Sequence, residues 1–145
     1  MSDVHCPARL IVTAPGRLQA RELAQGLTGE RVAGVVSSDL SGTVQTAEIA
    51  AGVLGLPVEV HGGLHDPTAG ETDDDAAARV LAVLDDVADR FRGETVLVVS
   101  HPGAIRATVG RLGLGSPPEL ADARDAPGLS TYVLERDADG WRFGL

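Results

Sequence analysis

The sequence predicts an α/β protein: a three-layer α/β/α sandwich whose central sheet is mostly parallel and ends in an antiparallel C-terminal edge strand. Three observations predict it. Short β-branched runs alternate with helical patterns along most of the chain, which is the order that builds a parallel sheet with helices on both faces. One run, Thr95 to Val99, is apolar at all but its first position and reads as a strand buried on both sides. The last seventeen residues, from Leu129, switch to two strands around a tight turn, the pattern of a hairpin.

Arg9 to Thr13 is the first strand, and Ala14-Pro15-Gly16 turns the chain. Arg17 to Leu27 carries Leu18, Ala20, Leu23, Ala24 and Leu27 at helical spacing, with Gly29 beyond it. Val32 to Ser37 is the second strand, and Ser38-Asp39 are expected to cap the next helix. That helix spans Thr43 to Leu54 and ends at Gly55, the residue best suited to a helix terminus. Pro57 to Val60 is a third short strand, and His61 to Asp73 a loop rich in Gly, Asp and Thr. Asp74 to Phe91 is the strongest helix, with Val80, Leu81, Leu84, Val87, Ala88 and Phe91 on one face. Asp73 to Asp75 at its start suit the helix dipole and a solvated surface better than a metal.

After the buried strand, Pro102-Gly103 lead into a helix from Ala104 to Leu112. Gly113 to Gly128, with three prolines, reads as a loop with at most a scrap of helix. Leu129 to Glu135 is a strand, Asp137 to Gly140 a turn, and Trp141 to Leu145 the returning edge strand. No internal repeat or domain boundary interrupts the 145 residues, so one domain is expected.

Composition narrows the function. Asp and Glu outnumber Lys and Arg by 21 to 12, for a net charge of -9, and no basic run occurs. Nucleic acid and anionic membrane surfaces, which need a basic face, are not expected partners. A single cysteine, Cys6, precludes an internal disulfide. Neither a secretory leader pattern nor an apolar run of about 18 or more residues is read, and the expectation is a cytoplasmic protein.

Several site motifs fail. No Gly-x-Gly-x-x-Gly follows the first strand, no P-loop occurs, and no Gly-x-Ser-x-Gly marks a serine hydrolase. His61 and His65, with Asp66, lie close in sequence but lack regular ligand spacing and thiols, so no metal is expected. What stands out is Ser100-His101 at the carboxyl end of the buried strand, where ligands bind in open α/β sheets. A turn histidine that only bonds locally is the competing reading.

Two segments carry a resemblance. Ser37-Ser38-Asp39-Leu40-Ser41-Gly42-Thr43-Val44-Gln45-Thr46-Ala47-Glu48 resembles the second motif of the histidine phosphatase superfamily, the phosphoglycerate-mutase-like enzymes. Val98-Val99-Ser100-His101-Pro102-Gly103-Ala104-Ile105-Arg106 is similar to its second histidine motif, and Arg17 to Ala24 to its first helix. The resemblance implies phosphoryl transfer through a phosphohistidine. An Arg-His-Gly motif after the first strand supplies the nucleophile, a second histidine and arginines hold the phosphate, and a loop Glu or Asp protonates the leaving oxygen. A phosphoryl group spreads negative charge over its oxygens, so that chemistry needs cations around a neutral imidazole.

Mapped onto this chain, the pattern is depleted. Thr13-Ala14-Pro15-Gly16 stands where Arg-His-Gly-Glu is expected, and Gly42 where the second-motif arginine falls. His101 is the matching phosphate ligand. Asp66, after Leu64-His65, is the candidate acid, with Glu71 in reserve. Ser38, Gly42, Ser100, His101, Arg17 and His65 are the expected ligand-binding set. Arg17 is a replacement cation if it turns inward. Arg106 is expected at the surface, and His5 lies at the wrong end of its strand to replace the nucleophile.

Three functions follow in order. The first is a degenerate member that binds a small ligand, phosphorylated or not, or a protein partner such as a second copy or an active relative. The second is an enzyme of another class, using His101 and Asp66 for acid–base chemistry on a small metabolite without a cofactor. The third is a residual phosphomonoesterase.

Overall fold

Strand Thr95–Val99 (β4) lies inside a six-stranded sheet, between Val32–Ser38 (β2) and Ala8–Thr13 (β1). The computed structural model describes residues 7–113 and 131–144. The remaining elements are helices Arg17–Gly26 (α1), Ser41–Leu54 (α2), Asp73–Arg90 (α3) and Pro102–Leu112 (α4), and strands Val58–His61 (β3), Thr131–Asp137 (β5) and Gly140–Phe143 (β6). The strand order is β3-β2-β4-β1-β5-β6. The first four strands are mutually parallel, whereas β5 runs antiparallel to β1 and β6 antiparallel to β5.

Alternation along the central strands divides the core. Leu10 and Val12 of β1, Val36 of β2 and Val96 and Val98 of β4 face α3 and α4, where Val80, Leu84, Val87 and Ile105 meet them. Ile11, Val35, Leu97 and Val99 face the other way, toward Ala24, Ala47, Ala50 and Ala51 of α1 and α2. Small residues on α1 and α2 let those helices lie close to the sheet, and that layer is wholly aliphatic, whereas Phe91, Tyr132, Trp141 and Phe143 pack partly buried against the α3 and α4 layer. Each large aliphatic chain buried this way contributes about 1.5–3 kcal/mol.

The expected strands and helices are present, with shifted ends. Ser38 and Asp39 do not cap α2. Ser38 is the last residue of β2, and α2 starts at Ser41 behind Leu40, which makes no side-chain cap bond. α3 begins one residue earlier than expected because Thr72 caps it: the Thr72 hydroxyl accepts the Asp75 N–H while the Asp75 carboxylate accepts the Thr72 N–H. Pro57 stays outside β3 and His61 closes it. The expected loop through Gly128 lies outside the described residues beyond Gly113, as do Leu129, Ser130 and Leu145 of the two final strands. Among the described residues no helix is long and apolar enough to cross a membrane.

Candidate functional site

The carboxyl ends of β2, β4 and β1 come together at one edge of the sheet. The Ser100 N–H donates to the Thr13 carbonyl at 2.8 Å, which locks the residue after β4 to the end of β1. His101 follows in extended conformation, φ -129° and ψ 151°, as the cap residue of α4, and its carbonyl accepts the Ile105 N–H at 3.0 Å. Pro102 at the first helical position fixes the turn, so the imidazole is held off the helix axis and toward β2. There His101 Nε2 lies 2.9 Å from Ser38 Oγ and 3.4 Å from Thr43 Oγ1.

His101 borders an open hollow of about 380 Å³. Ala14 and Pro15 form one wall, Leu40, Gly42, Thr43 and Thr46 another, and Val99 to Pro102 the base. Not one of these lining residues is a lysine, arginine or carboxylate. Burial holds the His101 imidazole below its ordinary pKa, opposed by the carboxylates of Asp66 and Asp39 and assisted by His65. The neutral ring is therefore favoured over the charged one, and in that form one nitrogen is a donor and the other an acceptor. Such a site can exchange neutral hydrogen bonds with a ligand and cover its apolar face.

The structure brings together some of the sequence-predicted residues and separates others. Ser38, Gly42, Ser100 and His101 share this strand-end edge. The Ser100 hydroxyl is committed, however, donating to the Leu64 carbonyl at 2.6 Å. Gly42 accepts the Thr46 hydroxyl on its carbonyl, and a Cβ at Gly42 would meet open space. Arg17 turns away: its guanidinium donates to Gln45 Oε1 at 2.5 Å and lines a separate groove between α1 and α2. Asp66 faces α4, where its Oδ1 accepts the Ala104 N–H at 2.7 Å. It does not line the hollow. His65 Nδ1 donates to the Asp66 carbonyl at 2.9 Å. Arg106 lines a different surface depression beside Asp73 and Asp74. His5 lies outside the described residues.

Arg79 is the residue that sequence reasoning missed. From α3 its Nη1 donates to the carbonyls of Gly63 at 2.7 Å and His65 at 2.9 Å. Its Nε and Nη2 grip both oxygens of Glu71 at 2.9 and 2.8 Å. Hydrogen bonds from Arg79 and from the Thr68 backbone pull the Glu71 carboxyl down to about 2. The loop carrying His65 and Asp66 is thus bound to α3 by one guanidinium. An arginine among alanines on a helix looks like surface in sequence, and no local signal marks its loop partners.

His61 Nε2 pairs with Glu59 at 2.5 Å, away from His65. Among the described residues no group of three His, Cys, Asp or Glu side chains is placed to hold a metal ion.

The mostly parallel α/β sheet thus carries a histidine at the carboxyl end of an inner strand, bonded to the end of the neighbouring strand. The sequence profile of the histidine phosphatase superfamily (branch 1) matches residues 10–67 and 63–145, and this chain belongs to that family. YhfR of Bacillus stearothermophilus has a similar fold, with a TM-score of 0.77, 19% identity, and coverage of 95% of this chain and 96% of that one. Mycobacterial glucosyl-3-phosphoglycerate phosphatase superposes with a TM-score of 0.70 and 22% identity over 94% of this chain and 96% of its own. Phosphoglycerate mutase of Plasmodium falciparum does so at 0.62 and 18% over 96% and 89%. At these identities the likeness is one of fold. No curated protein sequence matches the chain.

Proposed function

We propose that this protein is a binding member of the histidine phosphatase superfamily, that it does not form a phosphohistidine, and that the hollow beside His101 takes a small ligand. The observation that carries this reading is the wall opposite His101. Where the family resemblance calls for Arg-His-Gly after β1, the chain has Ala14 and Pro15, and these residues line the hollow. Gly42 stands in place of the second-motif arginine. A phosphoryl group in flight requires a nucleophile and surrounding cations. Losing a covalent nucleophile alone costs about a million-fold in turnover in hydrolases that depend on one. A neutral imidazole, the Thr43 hydroxyl and an apolar wall suit the uncharged, hydroxyl- or carbonyl-bearing end of a small molecule better than a phosphate dianion. Acid–base catalysis by His101 with Asp66 ranks lower, since the Asp66 carboxylate is bound to the start of α4.

The purified protein is incubated with p-nitrophenyl phosphate and a panel of phosphosugars, and separately with a radiolabelled phosphodonor followed by an alkaline quench. The expected result is no turnover and no base-stable, acid-labile phosphoprotein. Turnover that disappears in a folded His101→Ala variant overturns the reading.

A further inference from the structure

A groove of about 510 Å³ runs between the outer sides of α1 and α2, away from His101. Its α1 rim carries Arg17, Leu18 and Arg21, with Arg17 bonded to Gln45, and its α2 rim Glu48, Ile49 and Gly52. Leu18 is 81% exposed, the most solvent-exposed large aliphatic side chain among the described residues. Gly52 is open on its outer side, where a Cβ would touch nothing within 4 Å. Arg21 and Glu48 are both exposed, and neither has an ion-pair partner among the described residues. A single exposed leucine needs no explanation. A leucine beside a notch, flanked by unpaired charges of opposite sign on facing rims, is a self-complementary surface.

We propose that this groove is the interface of a homodimer. A two-fold axis through the groove sets each Leu18 over the second copy's Gly52, where the missing side chain leaves room for it. The same axis brings Arg21 of each α1 rim to the second copy's Glu48 on α2. This is the reciprocal pattern that an isologous contact requires, with each element meeting its complement twice. Charge decides the occupant. With a net charge of -9 the chain repels its own copies over most of its surface. This groove instead offers Arg17 and Arg21 on its α1 rim and Glu48 on its α2 rim, so a second copy sets opposite charges against each rim. The inference is independent of the chemistry in the His101 hollow.

Sedimentation velocity on the full chain over a concentration series, up to about 1 mM, reads the dimer directly. The wild type is expected to dimerise with a dissociation constant in the micromolar range, about that of a small interface. Leu18→Glu, a change at an exposed position that leaves the circular dichroism spectrum intact, is expected to give monomer throughout. Arg21→Glu and Glu48→Arg are each expected to weaken the dimer about tenfold or more by setting like charges opposite one another, and the double variant to restore it. A wild type that stays monomeric overturns the proposal, whether the groove then takes a different protein or nothing. So does a dimer that survives Leu18→Glu, or a charge swap that fails to restore association.

Discussion

His101 Nε2 and Ser38 Oγ, 63 positions apart in the chain, lie 2.9 Å from each other and join the end of β4 to the end of β2. The bond fixes the ring in a partly buried place, and burial is what disfavours its charged form. The folded-state pKa therefore lies below 6.5, the value the unfolded chain shows. As the pH falls past 6.5, the unfolded chain takes up a proton before the folded one does. Stability from this group is present above 6.5 and declines as the pH drops toward the folded value. Urea unfolding at about pH 7.5 and about pH 5.5 is expected to show a loss in the wild type that shrinks in His101→Gln. Glu59 and Glu71, both held at about 2, titrate well below this window. An identical loss in both proteins would place the proton elsewhere.

The Arg79 guanidinium leads to a second expectation. It joins Glu71 to the carbonyls of Gly63 and His65, and its removal leaves those carbonyls without a donor. Arg79→Met keeps much of the aliphatic stem, so the measured loss reports the fork: about 1–3 kcal/mol in urea unfolding. Arg79→Lys recovers only part, because one ammonium cannot span both oxygens of Glu71 and the two carbonyls. In the same variants the Glu71 carboxyl, followed by NMR, rises from about 2 toward the ordinary 4.5. With that rise goes the stability that Glu71 contributes above pH 4.5 and that fades as the pH falls toward 2. Full recovery by lysine would argue against the geometry.

Asp66 and Gly103 test the start of α4. The Asp66 carboxylate accepts the Ala104 N–H and sits against Gly103, where an added Cβ would approach Oδ1 to 2.7 Å. Gly103→Ala is expected to push the carboxylate off the helix and to lower stability by about 1 kcal/mol, despite alanine's better helix propensity. Asp66→Asn keeps an acceptor and is expected to lose less than Asp66→Ala, with thermal unfolding as the measure. If Gly103→Ala stabilises the protein, the contact is looser than the geometry implies.

Residues whose partners are near in sequence were the legible ones. The apolar run at 95–99 could be little but a buried strand, and β4 has those bounds. Gly55 as the left-handed end of α2 was readable for the same reason, its φ being 72°. Ser38 was not, because serine before a helix resembles a cap and its actual partner is 63 residues away. Arg17 sits one turn beyond the end of β1 in sequence, close enough to suggest a pocket cation. The helix instead carries it to Gln45 on the outer face. Arg79 was silent because its loop partners are defined only by the fold. The family was legible because two motifs, at 37–48 and 98–106, keep their pattern within short stretches of sequence.

Gly42 offers the last and most direct probe of the hollow. It is the second residue of α2, exposed, with open space where a side chain would begin. Gly42→Arg places a cation on the rim. Replacing glycine inside a helix gains up to about 1 kcal/mol in propensity, and a positive charge at the N-terminal turn gives back about 0.3–1. The two nearly cancel, so unfolding stability should move by no more than about 0.5 kcal/mol. Binding should not cancel: a charge-assisted hydrogen bond to an anion is worth about 1.5–3 kcal/mol, or roughly tenfold or more in affinity. Calorimetric titration with orthophosphate is therefore expected to detect tighter binding in the variant than in the wild type, with no gain in p-nitrophenyl phosphate turnover, since an arginine is no nucleophile. Unchanged phosphate affinity would mean that the Gly42 rim does not open onto the space beside His101.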